Sequence, residues 1–145
     1  MNTTDTMVEY VKKITDPLVK SLSEPLPESN DPQSLKRLKE LVSYAESQRA
    51  RLAVLKRRVD EICEERRQEL TKEFEKEHES DEKKPTRDLR NVYVKAGMSQ
   101  ELSTQSFLDE LQDILKGRVS LGQSYLRSFN IEDRTGYNNN ELRIM

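Results

Sequence analysis

The chain has 145 residues and a net charge of −2, with 36% charged and 33% hydrophobic residues. A chain of this length forms one small domain and little more, which excludes a large multidomain enzyme. The presence of only four glycines and no tryptophan argues against sheets, barrels and glycine-rich ligand cradles, so the composition favours long exposed helices.

The sequence also limits where the protein is expected to work. A single cysteine, Cys63, cannot form an internal disulfide, and residues 1–10 contain neither a basic leader nor an apolar run of signal-peptide length. No stretch approaches the roughly 18 consecutive apolar residues of a membrane-spanning helix. We therefore expect an intracellular protein that does not bind a membrane.

The N-terminal region, 1–24, is predicted to form a short amphipathic helix, because Met7, Val11, Ile14 and Leu18 follow helical spacing. Pro17 is predicted to break this helix, since proline cannot donate a backbone hydrogen bond. The proline-rich residues 25–31 are predicted to form a hinge.

A long coiled-coil helix is predicted over 32–84, with Asp31 as its N-cap and Pro32 as its first helical residue. Seven of eight successive heptad core positions are apolar, and only Gln48 is polar. These seven residues, which we call the seam, are predicted to bind a partner helix: Leu38, Leu41, Ala45, Leu52, Leu55, Val59 and Ile62.

The region 85–129 is predicted to form helices that pack back onto the long helix. A short helix is expected before Gly97, and a longer one is expected from about Ser99 to Ser128. Residues 130–145 lose the apolar periodicity and are predicted to form a flexible tail.

Charge is distributed unevenly along the long helix. Counting acidic and basic side chains gives +6 for residues 36–58 and −7 for residues 60–82. A parallel pair would place like charges side by side, so antiparallel pairing with a second copy or with another helical protein is favoured. The basic block also permits an alternative, electrostatic nucleic-acid binding, through Arg49, Arg51, Lys56, Arg57 and Arg58.

No catalytic, cofactor-binding or metal-binding motif is found in the sequence. His78 is the only histidine and has no nucleophile at a suitable spacing, so we expect it to be solvated. Cys63 follows Ile62 in the stripe and is interpreted as a small core residue rather than a reactive thiol. We therefore expect a protein that is not an enzyme and has no cofactor.

Three features resemble the small coiled-coil subunits of the fungal inner kinetochore. These are Asp31-Pro32-Gln33 at a helix start, then Gln48-Arg49-Ala50-Arg51, then Val59 with Ile62, and together they cover about a quarter of the chain. The resemblance implies a non-enzymatic protein of a helical heteromer at centromeric chromatin, with the nucleus favoured over the cytoplasm.

The predicted fold class is all-α, an elongated helical bundle or coiled coil built on one long central helix. The predicted function is that of a structural or adaptor subunit, which assembles through the seam into a larger multi-protein complex.

Overall fold

The fold is all-α. The computed structural model describes the backbone of residues 2–144 and the side chains of residues 2–130. Within this range there are four helices, α1 (Thr3–Ser21), α2 (Pro32–Glu77), α3 (Arg87–Gly97) and α4 (Ser99–Ile144), and no strand. The prediction of an all-α fold built on one long helix is confirmed.

The start of α2 is fixed by Asp31. One carboxylate oxygen of Asp31 accepts the backbone N–H of Ser34 at 2.9 Å, and the other accepts the hydroxyls of Ser34 at 2.8 Å and Ser29 at 2.6 Å. Pro32 then occupies the first helical position, where no amide hydrogen is needed. At the other end, the predicted bound is corrected, since α2 stops at Glu77 rather than at 84. Residues 75–84 contain no apolar side chain that a further helical turn could bury.

We expect the cap at Asp31 to make stability depend on pH. The Ser29 and Ser34 hydrogen bonds lower the pKa of the Asp31 carboxyl to about 2. A lowered pKa means that the stabilisation is complete above the unfolded value of about 3.9 and is lost as pH falls towards 2. Asp31→Ala should therefore lower the melting temperature at pH 6, and the difference from the wild type should become much smaller as pH falls through about 2.

Asp31→Ser is the matched control for this experiment, because serine also caps helices but does not titrate. Its melting temperature should stay above that of Asp31→Ala at every pH. A constant difference between wild type and Asp31→Ala from pH 6 to pH 2 would contradict the assigned cap.

The predicted break at Pro17 is corrected by the structure, since α1 continues through this residue to Ser21. Proline removes the hydrogen bond that its nitrogen would donate to the carbonyl one turn earlier. The side chains of Thr15 and Leu18, on either side of Pro17, are both buried and 1% exposed. Their burial stabilises the helix across the missing hydrogen bond.

The chain divides into two compact units, which the sequence pattern does not indicate. Unit 1 consists of Met1–Pro17 and Leu52–Glu110, and unit 2 consists of Leu18–Arg51 and Leu111–Met145. Helices α1, α2 and α4 each contribute residues to both units.

The core of unit 1 combines residues from all four helices. Its buried apolar side chains are Met7, Val11, Leu52, Leu55, Val59, Ile62, Cys63, Leu70, Phe74, Val94, Met98 and Leu108. Leu70 of α2 lies against Gly97 at the end of α3, where an added Cβ would come within 2.9 Å of the leucine methyl groups. Gly97 therefore lets α3 approach α2 closely.

The core of unit 2 joins the first part of α2 to α4. Its buried apolar side chains are Leu18, Leu38, Leu41, Val42, Ala45, Leu111, Leu115, Val119 and Phe129. The linker before α2 is held by Glu24, whose carboxylate receives two hydrogen bonds from Arg37 at 2.6 and 2.7 Å and whose carbonyl accepts Arg118 at 2.6 Å. The Arg37 hydrogen bonds lower the pKa of Glu24. Whether residues 25–31 act as a hinge stays a prediction.

The last helix differs from its predicted bounds. We expected it to end near Ser128, and α4 extends to Ile144. The flexible tail was predicted over 130–145. Except for Asn130, these residues lie outside the range whose side chains are described, so the flexible tail stays a prediction.

Candidate functional site

The seven seam residues are core residues of the two units. Leu38, Leu41 and Ala45 lie in unit 2, and the other four lie in unit 1. Their exposed fractions range from 0% for Leu38 to 8% for Ile62. The seam thus packs within the chain rather than being exposed along its length, and its role in partner binding stays a prediction.

One part of the seam does line an open surface feature. A groove of about 540 Å³ runs between α1 and α2 in unit 1, and Leu55, Val59 and Ile62 line it from the α2 side. Met7 and Val11 line it from α1. These five side chains form the apolar floor of the groove, and each exposes 8% or less of its surface.

The rim of this groove is amphipathic. Tyr10 lines the groove with 57% of its surface exposed, and Arg58 lines it from α2. Asn2, Thr3 and Thr6 add polar groups from the start of α1. We call this feature, with its apolar floor and polar rim, the α1–α2 groove. The heptad pattern places the floor residues of α2 in the seam. Tyr10 lies outside the apolar stripe of α1 formed by Met7, Val11, Ile14 and Leu18, so helical spacing does not single it out.

The basic block is partly neutralised inside the chain. Lys56 forms an ion pair with Asp109 of α4, and Arg58 pairs with Glu61 at 3.1 Å. Arg49 is half-buried, and its Nε is buried without a hydrogen-bond partner among the described residues. The other two residues of the block, Arg51 and Arg57, are exposed and form no ion pair with any described side chain. Nucleic-acid binding through the basic block stays a prediction.

The acidic half of α2 is also compensated locally. Arg66 pairs with Glu69 at 3.1 Å and Arg67 pairs with Glu64 at 3.0 Å, each three residues apart on the helix surface. Exposed pairs of this kind contribute about 0.3–0.5 kcal/mol each. Both pairs lie inside the acidic segment, so its net charge of −7 is unchanged. Antiparallel pairing of α2 with another helix stays a prediction.

A buried carboxylate in unit 1 was not foreseen from the sequence. Glu101 is 3% exposed, and its Oε1 accepts the Thr4 hydroxyl at 2.6 Å and lies 4.0 Å from Arg66 Nε. Glu101 stands in the first turn of α4, where the helix dipole favours a negative charge. Its hydrogen bond to Thr4 joins the starts of α1 and α4.

The two residues with reactive side chains are packed against neighbours. Cys63 is 1% exposed, its Sγ lies 3.7 Å from the Glu101 carbonyl oxygen, and burial raises the pKa of its thiol to about 11. A thiol with a raised pKa carries little thiolate at neutral pH and is a poor nucleophile. His78 differs from the expectation of full solvation, because its ring packs edge-on against Phe74 at 4.3 Å and its Nδ1 lies 2.8 Å from Asp81.

Two other features are absent from the residues that the structure describes. No three or more His, Cys, Asp or Glu side chains cluster closely enough there to hold a metal ion. No helix in that range combines the length and the apolar character that crossing a membrane requires.

Comparisons with known proteins give no relative. No family model matches the chain, and no curated protein or solved structure is significantly similar to it. The kinetochore resemblance thus depends on its sequence motifs alone.

Proposed function

We propose that this protein is a non-enzymatic structural or adaptor subunit that binds a helix of a partner protein in the α1–α2 groove. The observation that carries the proposal is the groove itself, with an apolar floor built from two helices and an exposed tyrosine at its rim. An amphipathic helix binds such a groove by inserting the apolar side chains of one face.

The composition of the rim indicates how the partner helix is recognised. Tyr10 is a rigid side chain that covers a large apolar area and can still donate a hydrogen bond, and tyrosines are enriched among the residues that dominate binding energy. Arg58 forms only a surface pair with Glu61, with side chains 62% and 56% exposed. A carboxylate on the partner helix can compete with Glu61 for Arg58. The expected partner is therefore an amphipathic helix with leucine-like side chains on one face and an acidic residue beside them.

We also propose that the complex is nuclear and belongs to the inner kinetochore. The support for this proposal is the resemblance of the segments around Asp31, Gln48 and Val59 to subunits of that assembly. Fluorescence microscopy of the tagged chain in its own cells tests it, and we expect foci at centromeres.

The groove is tested by comparing two exposed positions of unit 1. A photo-crosslinking amino acid replaces Tyr10 in one strain and Val92 in another, since Val92 of α3 is 64% exposed and does not line the groove. We expect one partner to crosslink from position 10 and not from position 92. Titration calorimetry with the purified partner should then show at least a roughly tenfold loss of affinity for Tyr10→Glu and less than a twofold change for Val92→Glu.

The same titration separates the proposal from the electrostatic alternative. Binding through an apolar groove should persist at 0.5 M salt, whereas phosphate binding falls steeply, with a slope of about −0.9 per neutralised phosphate. Equal affinity for Tyr10→Glu and the wild type would overturn the groove as the binding site. Salt-sensitive binding of a DNA or RNA duplex, abolished by Arg51→Glu with Arg57→Glu, would favour the nucleic-acid function instead.

A further inference from the structure

Helix α4 has a second apolar face that the core of unit 2 does not use. Leu111, Leu115 and Val119 point into the core, whereas Ile114 is 52% exposed and Leu121 is 47% exposed. Ile114 and Leu121 are seven residues apart and therefore lie above one another on one side of the helix. They form an exposed apolar face on the part of α4 whose side chains are described.

Gly117 lies on the same face between these two side chains, and Ser124 lies on this face three residues beyond Leu121. A Cβ added at Gly117 would meet nothing within 4 Å, so the space outside this residue is open. The face thus alternates large and small residues at heptad spacing, in the order Ile114, Gly117, Leu121 and Ser124. We call these four residues the outer α4 stripe.

Two charged side chains flank the stripe on its solvent side. Asp113 and Arg127 are both exposed, and the described side chains form no ion pair with either of them. They stand at the same heptad position, two heptads apart, with Ser120 midway between them. Opposite charges placed in this way complement each other when the helix meets an inverted copy of itself.

We propose that the outer α4 stripe is a self-association surface, which pairs unit 2 with unit 2 of a second copy in antiparallel orientation. The two-fold axis lies level with Val119. In this register Leu121 of each copy packs over Gly117 of the other, and Ile114 lies opposite Ser124. Asp113 then faces Arg127 at both ends of the contact.

A parallel arrangement fits these residues less well. It would place Gly117 against Gly117 and leave the space between them unfilled, which forfeits packing contacts. It would also need Arg118 as the partner of Asp113, and Arg118 already donates a hydrogen bond to the Glu24 carbonyl oxygen at 2.6 Å. Antiparallel pairing fills the space at Gly117 and uses two charges that have no partner inside the described chain.

The contact is small, so we expect a weak and reversible dimer with a dissociation constant on the order of 100 µM. Sedimentation equilibrium of the full chain from about 10 µM to 1 mM measures it. The weight-average mass should rise from 17.0 kDa towards twice that value. Leu121→Glu should abolish the rise, and Val19→Glu, a matched change at a 45% exposed residue of unit 2, should leave it unchanged.

A charge exchange tests the orientation. Asp113→Arg and Arg127→Asp should each weaken dimerisation about three- to tenfold, because each creates like-charge contacts at both ends. The double variant should restore the wild-type dissociation constant to within about twofold. A mass that stays at 17.0 kDa at 1 mM overturns the proposal, as does loss of the dimer in Val19→Glu or failure of the double variant to restore it.

Discussion

Leu52→Ala is expected to lower the free energy of unfolding by about 2–5 kcal/mol and the melting temperature by roughly 6–20 °C. Leu52 is fully buried, at 0% exposure, in the part of α2 that belongs to unit 1. Truncation removes the buried methyl groups and leaves a cavity that the surrounding helices fill only in part. Differential scanning calorimetry at several protein concentrations measures the effect.

Val54→Ala is the control, because it is also an aliphatic truncation on α2, two residues away, at a position that is 69% exposed. Its effect should stay within about 0.5 kcal/mol. If the seam is an internal core at this point, the loss caused by Leu52→Ala is independent of protein concentration. A melting temperature of Leu52→Ala equal to that of Val54→Ala would show that Leu52 is not buried in the folded chain.

The heptad pattern predicts which residues of α2 are buried but not what buries them. All seven apolar seam residues are 8% exposed or less, so the residues that the heptad spacing selects are buried ones. The spacing of side chains on one helix is the same whether the neighbouring helix belongs to the same chain or to another. The distinction depends on contacts with α1, α3 and α4, and a pattern read along one helix does not contain them.

Hydrogen bonds between residues far apart in the sequence are also outside what the spacing predicts. Glu101 is buried, and Thr4, 97 positions earlier, donates a hydrogen bond to it. The sequence spacing of these two residues carries no such information, whereas the local cap at Asp31 was predictable because Ser34 lies three residues away. At Pro17 the local rule that proline breaks a helix gives the wrong prediction. The burial of Thr15 and Leu18 outweighs the hydrogen bond that the proline removes.

The surroundings of a residue in the fold also give opposite expectations for alanine substitutions at two glycines that look alike in sequence. Both Gly117 and Gly122 lie within α4, where replacement of glycine by alanine gains about 0.5–1 kcal/mol through backbone entropy. At Gly117 the added Cβ would meet nothing within 4 Å. Gly117→Ala should therefore raise the free energy of unfolding by about 0.5–1 kcal/mol at low protein concentration.

At Gly122 the added Cβ would overlap Cγ2 of Val42, a buried side chain of α2 in unit 2. Valine is branched at Cβ and cannot rotate away freely, so α2 and α4 must move apart. Overpacking of this kind costs about 1–3 kcal/mol, which exceeds the gain in helix propensity. We expect Gly122→Ala to lower the melting temperature while Gly117→Ala raises it.

A double-mutant cycle with Val42→Ala identifies the cause. Val42→Ala removes the methyl group that the new Cβ would meet, so Gly122→Ala should be less destabilising in that background, by about 1 kcal/mol or more. Chemical denaturation of the four proteins measures the coupling. If Gly122→Ala stabilised the chain as much as Gly117→Ala, α2 and α4 would not approach each other at this residue, since only a close approach of the two helices makes an alanine at position 122 unfavourable.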